Sequence, residues 1–315
     1  MPNLVSNLIR NAIYSDEPRN ILITSYNKIF EYYLSKFTHH NYFVIADNPV
    51  EYKELLCPQL QVLPPNHNLW PIHLNFDLII CNDIVSQVDF CNNLSKILHI
   101  PLVIVHHCIK PPFVKKEDVQ ILSANNRNAT RISTAKLINT SWYTNFNIIP
   151  YGLPITKYTH ADNKLLIIDK PDNDSRNIIG LIKRNSKIPV TILPSNISHK
   201  DFEKELSNHS IFFHFYGDDD TYYPMLLAMS YGKTVICKET TINSMIISDT
   251  KNGYLINSLD QLTNIVNKTL IDNSSLLYTI GKNAQSTIQT QFNIYNFSGS
   301  WNSLISQEAH KTFRI

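Results

Sequence analysis

The sequence predicts an α/β protein built from two Rossmann-like domains. Three observations carry that expectation. Short apolar runs alternate with helix-length stretches along nearly the whole chain. The runs are too many for one ordinary open sheet. They also divide around Tyr151–Asn163 (YGLPITKYTHADN), which carries Gly and Pro and shows no clear period.

In chain order, the first set of strand-like runs is Ile21–Thr24, Tyr42–Ala46, Leu60–Leu63, Phe76–Cys81, Pro101–Val105, Thr130–Ser133 and Asn147–Pro150. The second set is Lys164–Ile168, Pro189–Leu193, Ser210–Phe215, Lys233–Cys237 and Gly253–Ile256. Between them lie amphipathic stretches such as Ile84–Leu98, Phe202–Ser207, Met225–Tyr231 and Leu259–Leu270. Continuous β-branched runs separated by helices imply parallel strands covered on both faces. Short connections make these right-handed βαβ units. The expected domains are 1–152 and 164–315, joined by a linker over 153–163. An α/β barrel also alternates strand and helix, but the strand count and the uneven composition argue against it.

Only seven of the 315 residues are glycine, and the first 151 residues contain none. Average usage is about 7%. Neither a GxGxxG dinucleotide loop nor a Walker-A loop can be built from this chain, which excludes a nicotinamide oxidoreductase of the ordinary type. Net charge is +2, so a polyanionic partner is permitted but not demanded. Five scattered cysteines form no CxxC pair and suit a reducing compartment. The first residues lack the apolar core of a signal peptide, and no apolar run approaches the ~18 residues of a membrane span. The expected location is cytoplasmic, and no cofactor is expected.

The most informative segment is Tyr216–Ile256. An acidic loop leads into a helix starting near Tyr223, with Pro224 suited to its first turn. Gly232 can end that helix in a left-handed conformation. A strand, a short helix over Ile242–Ser248 and an Asn252-Gly253 turn follow. A helix N-terminus at the carboxyl end of a strand is a ready anion site.

PMLLAMSYGKTVI, Pro224–Ile236, resembles the donor-binding region of family-4-type glycosyltransferases of the GT-B fold. IIPYGLP (Ile148–Pro154) is similar to that family's crossing into the second domain. KLLIIDKPDNDSRN (Lys164–Asn177) is similar to a stretch supplying two cations, and PLVIVHHCIKPP (Pro101–Pro112) to a strand-to-loop histidine segment near the transferred sugar. The resemblance implies two domains facing a cleft, with a C-terminal helix crossing back to the first. It implies a nucleotide-sugar donor as substrate, held by Asp219, Asp220, Thr221, Tyr222, Tyr223 and position 227. Lys170 and Arg176 would grip the diphosphate, and His106 or His107 would be catalytic. The family's two glutamates fall at Asp219 and Leu227. Leucine departs from the pattern because it cannot hydrogen-bond a sugar hydroxyl. Transfer would be retaining and metal-independent.

Bland readings stand beside these. Asp218–Asp220 can instead bind a metal or simply favour a helix start. The histidines can be a packed pair, and the tyrosines core aromatics. Lys110, Lys115 and Lys116 form a loop charge cluster that would meet phosphates only if the acceptor is nucleic acid. Two acceptors remain open: a hydroxymethylated DNA base, as in phage-type modification, or a surface glycan. A non-catalytic binding module that kept the fold is the alternative, with Leu227 as its main support.

Overall fold

The computed structural model describes residues 17–25, 27–55, 57–71, 73–82, 85–107, 129–134, 147–158, 161–169, 173–214, 222–271 and 273–310. The chain divides into two compact units. One comprises the described part of Met1–Gly152 with the segment from Ile294 onward; the other is Leu153–Asn293.

In the first unit, β1 (Asn20–Thr24), α1 (Lys28–Phe37), β2 (Asn41–Ile45), β3 (Leu60–Leu63), β4 (Leu78–Asn82), α2 (Val85–Leu98), β5 (Leu102–His106), β6 (Thr130–Ser133) and β7 (Asn147–Ile148) follow one another. The seven strands form one sheet in the order β3-β2-β1-β4-β5-β6-β7. Every pairing is parallel. All five residues of β4 and of β5 are buried, which is why these strands read as unbroken apolar runs. One core cluster gathers Leu22, Phe43, Ile79, Cys81, Val88 and Ile104.

Helix α1 starts where the Asn27 side chain accepts from Phe30 N–H (3.1 Å) and stops at Thr38, whose hydroxyl donates to the Leu34 carbonyl (2.7 Å). Its buried face carries Phe30, Glu31, Tyr33 and Leu34. The last helix of the chain, Ile294–Ala309, belongs to this unit. Trp301, fully buried, meets the Phe30 ring edge-on at 5.5 Å, and Thr130 donates to Glu308 at 2.8 Å. The expected second domain, 164–315, therefore loses its final helix to the first unit.

The second unit runs β8 (Asp162–Ile168), α3 (Asn173–Asn185), β9 (Val190–Leu193), α4 (His199–Asn208), β10 (His209–His214), α5 (Tyr223–Ser230), β11 (Thr234–Lys238), α6 (Thr241–Ile246), β12 (Tyr254–Ile256) and α7 (Leu259–Asn264). A π-helical turn over Ile265–Leu270 follows, then α8 (Ser274–Gln291), and the chain closes with α9, the Ile294–Ala309 helix of the first unit. The sheet order is β12-β11-β10-β8-β9, again parallel throughout. The end of the expected linker 153–163 already belongs to β8, which starts at Asp162.

Helix α5 is buried from Met225 to Ser230 because it lies between the sheet and α8. This sandwich depends on two glycines. Gly232 ends the helix at φ +69°, a conformation that costs an L side chain about 1–2 kcal/mol. Gly281, inside α8, abuts it: a Cβ there would stand 2.0 Å from the Gly232 carbonyl oxygen. Asn267 is buried too. Its side chain donates to Asn185 O (2.6 Å) and accepts from Lys187 N–H (2.7 Å).

Candidate functional site

In an open parallel sheet the crevice forms at the carboxyl ends of the strands, where the order reverses. In the first unit that point lies between β1 and β4, since the chain leaves β1 toward β2 and β3 and returns on the other side. A cavity of about 420 Å³ opens there. Thr24 and Ser25 line it from β1, Ala46 and Asp47 from β2, and Gln87 and Phe90 from α2.

Beside the cavity runs a buried polar network. His107, just past β5 and 1% exposed, has its Nε2 at 2.7 Å from Asn82 Oδ1 and its Nδ1 at 2.9 Å from the Tyr151 hydroxyl. Asn82 Nδ2 donates to the Thr24 carbonyl, so Oδ1 is the acceptor atom of that amide. His107 is therefore the Nε2–H tautomer, and Nδ1 accepts from Tyr151. Asn27 Nδ2 in turn donates to the Tyr151 hydroxyl at 2.9 Å. Asn27 N–H donates to Glu31 Oε1 (3.0 Å), and Tyr52 donates to Glu31 Oε2. Glu31 is fully buried.

This places the first two sequence candidates. Both ring nitrogens of His107 are engaged and Phe30 packs edge-on at 4.9 Å, so in this arrangement the ring ties strand ends together. Presenting a nitrogen to substrate would require breaking one of those bonds. His106 is buried at the end of β5, and its carbonyl accepts from Thr134 N–H (3.0 Å) and the Thr134 hydroxyl (3.2 Å).

In the second unit the order reverses between β8 and β10. Asp169 follows β8 directly, and its Oδ1 is buried without a hydrogen-bond partner among the described residues. An acceptor so placed at a switch point can take a hydrogen from a ligand or a water. The sequence reading passed over it because a single Asp after a strand has no motif. His214 ends β10, and complete burial pushes its pKa down to about 3, so it is neutral. Arg176 lies exposed near the start of α3. Helix α5 begins at Tyr223 with Pro224 in its first turn, no side-chain hydrogen bond from Tyr222 and no acidic residue in that turn.

Tyr222 and Tyr223 are buried (3% and 6% exposed) and read as packed aromatics. Leu227 is 1% exposed and carries no group that can bond a hydroxyl. Lys110, Lys115, Lys116, Lys170, Asp219, Asp220 and Thr221 lie outside the described residues. Among the described residues no three His, Cys, Asp or Glu side chains are grouped to hold a metal. No helix there is long and apolar enough to cross a membrane.

No family model matches the sequence, and no curated protein matches it significantly. Solved structures do. HepE from Anabaena, in complex with UDP-glucose, aligns with a TM-score of 0.71 at 16% identity, covering 92% of this chain and all of that one. Sucrose-phosphate synthase from Thermosynechococcus elongatus aligns at 0.65 and 14% identity, covering 92% and 98%. A glycosyltransferase from Rickettsia africae aligns at 0.62 and 11% identity, covering 94% and 99%. The chain has the GT-B fold. At these identities the likeness is one of architecture. Within that architecture, the switch points of the two GT-B units are where Asp169 and the cavity at Ser25 lie.

Proposed function

We propose that this GT-B chain is a glycosyltransferase that moves a sugar from a nucleotide-sugar donor to an acceptor hydroxyl. The observation that carries the reading is the nearly end-to-end likeness to HepE, solved with UDP-glucose and with UDP. The second unit holds chemistry suited to such a donor. A leaving nucleoside diphosphate needs cations or oriented amides where charge develops. Arg176 and, by sequence position, Lys170 would serve the diphosphate. Asp169 Oδ1 would take a donated hydroxyl or N–H hydrogen, a role that Leu227 cannot fill. By sequence position Asp219, Asp220 and Thr221 precede the start of α5.

Transfer would be retaining and metal-independent. The departing phosphate oxygen accepts the proton of the incoming hydroxyl, so no side-chain base is required. That agrees with a His107 whose nitrogens are both engaged. The acceptor is a hydroxymethylated DNA base or a glycan; the lysines that would favour DNA are Lys110, Lys115 and Lys116.

A thermal-shift panel of UDP-, GDP-, TDP- and ADP-sugars tests the reading. A donor at 100 times its Kd stabilises the fold by about 2.7 kcal/mol. Arg176→Ala should leave the melting temperature unchanged, because the residue is exposed, and should lower transfer about 100-fold. No shift with any donor would instead favour a non-catalytic binding module.

A further inference from the structure

The cavity of the first unit has a hydrogen-bonding polarity of its own, set by buried neighbours. Gln87 Nε2 donates to the Ser25 carbonyl at 3.0 Å, which fixes the amide so that Oε1 is its other end. That oxygen is buried and has no hydrogen-bond partner among the described residues. The Tyr52 hydroxyl donates to Glu31 Oε2. The contact between Tyr52 and Ser25 is then donated by the serine hydroxyl, which leaves Ser25 with only acceptor capacity. Asp47, exposed at the end of β2, adds a carboxylate. Gln87, Ser25 and Asp47 thus present acceptors. Among the described residues lining the cavity there is no lysine, arginine or histidine. Phe90, 45% exposed, lends an aromatic face, and about 420 Å³ lies within the range that takes a small ligand.

We propose that this cavity binds a neutral, polyhydroxylated group: one sugar unit of a glycan acceptor, which donates hydroxyl hydrogens to Gln87 Oε1, Ser25 Oγ and Asp47 while Phe90 covers its C–H face. A phosphate or a nucleic-acid backbone offers only acceptors and negative charge, and meets a carboxylate at Asp47 and no cation among the described lining residues. Naming the acceptor as a sugar rests on the glycosyltransferase reading; the chemistry of the cavity does not.

The test is saturation-transfer-difference NMR on the full chain with methyl glycosides of glucose, galactose, mannose and N-acetylglucosamine. Inorganic phosphate and a short single-stranded DNA serve as parallel probes. At least one glycoside should give a signal that falls at least tenfold in Gln87→Leu and Asp47→Ala. Phe90→Ala, at an exposed position, should weaken it while the melting temperature holds, so failure to fold cannot imitate the result. Silence from every glycoside, a signal indifferent to all three substitutions, or DNA or phosphate binding that these substitutions abolish would each overturn the proposal. UDP-glucose binding, followed separately by thermal shift, keeps the two readings apart. Donor binding without glycoside binding sinks the cavity proposal alone. Glycoside binding without any donor sinks the transferase reading alone.

Discussion

Two buried positions show how differently the units are built. In the first, Glu31 is fully buried and met by the Tyr52 hydroxyl and the Asn27 N–H. In the second, Leu227 is 1% exposed on a helix that is apolar nearly all round. The first unit joins its strand ends with directional side chains: His107 to Asn82, Asn82 to Thr24, Tyr151 to Asn27. The second presses backbone against backbone, Gly281 on Gly232. A side-chain network can be cut one bond at a time, whereas a backbone contact tolerates no added atom.

The largest effect should follow from giving the second unit what the first one has. Leu227→Glu buries a carboxylate without the donors that Glu31 enjoys. Breaking a buried charge from its partners costs about 3–5 kcal/mol, and a loss of that size is expected in urea denaturation. A variant as stable as the parent would show that position 227 reaches solvent. Next is Gly281→Ala, whose methyl would stand 2.0 Å from a backbone oxygen. About 3 kcal/mol of overpacking is expected, although alanine is the better helix former. A rise in stability would mean that α8 can shift away from Gly232.

In the first unit, Asn82→Leu should cost about 2 kcal/mol, because it strands the His107 Nε2–H and the Thr24 carbonyl in a dry site. It should also release the ring from its tautomer, which ¹⁵N chemical shifts of the imidazole report directly. An unchanged Nε2–H signature in the variant would remove Asn82 as the group that sets it.

Strands were legible in the sequence because both faces of these sheets are covered. Leu60–Leu63 and Thr130–Ser133 appear with the expected bounds, and β10 begins one residue early at His209. Helices were less so. Lys28–Phe37, Asn173–Asn185 and Ser274–Gln291 carry Tyr, Asn, Ser and Thr where a helix usually shows Ala or Glu, and the reading did not single them out. His107 was visible as the end of an apolar run. Its partners were not: Asn82 is 25 residues away and Tyr151 44, and no local pattern links them. The acceptors of the cavity were hidden for the same reason, since Gln87 meets Ser25 across 62 residues.

Acid separates the units by the smallest margin. Each holds a histidine whose pKa burial pushes down to about 3: His40 in the first, with His39 and Arg19 adding to the depression, and His214 in the second. Both are neutral when folded and take a proton near pH 6.5 when unfolded. The unfolded state therefore binds more protons between about pH 6.5 and 3, and stability falls as pH drops through that window. At pH 5.5 each group should cost about 1.3 kcal/mol relative to pH 7. Trp70 and Trp301 belong to the first unit and the sequence from 153 to 293 contains no tryptophan, so indole fluorescence does not follow the second unit while far-ultraviolet circular dichroism follows both. His40→Asn keeps an acceptor for the Arg19 N–H that His40 Nδ1 receives at 3.2 Å, and should flatten the fluorescence-detected acid dependence. His214→Leu should flatten only the dichroism-detected one. If His214→Leu also moved the fluorescence signal, the two units would be unfolding as one cooperative body, and the contrast between them would be one of construction without being one of stability.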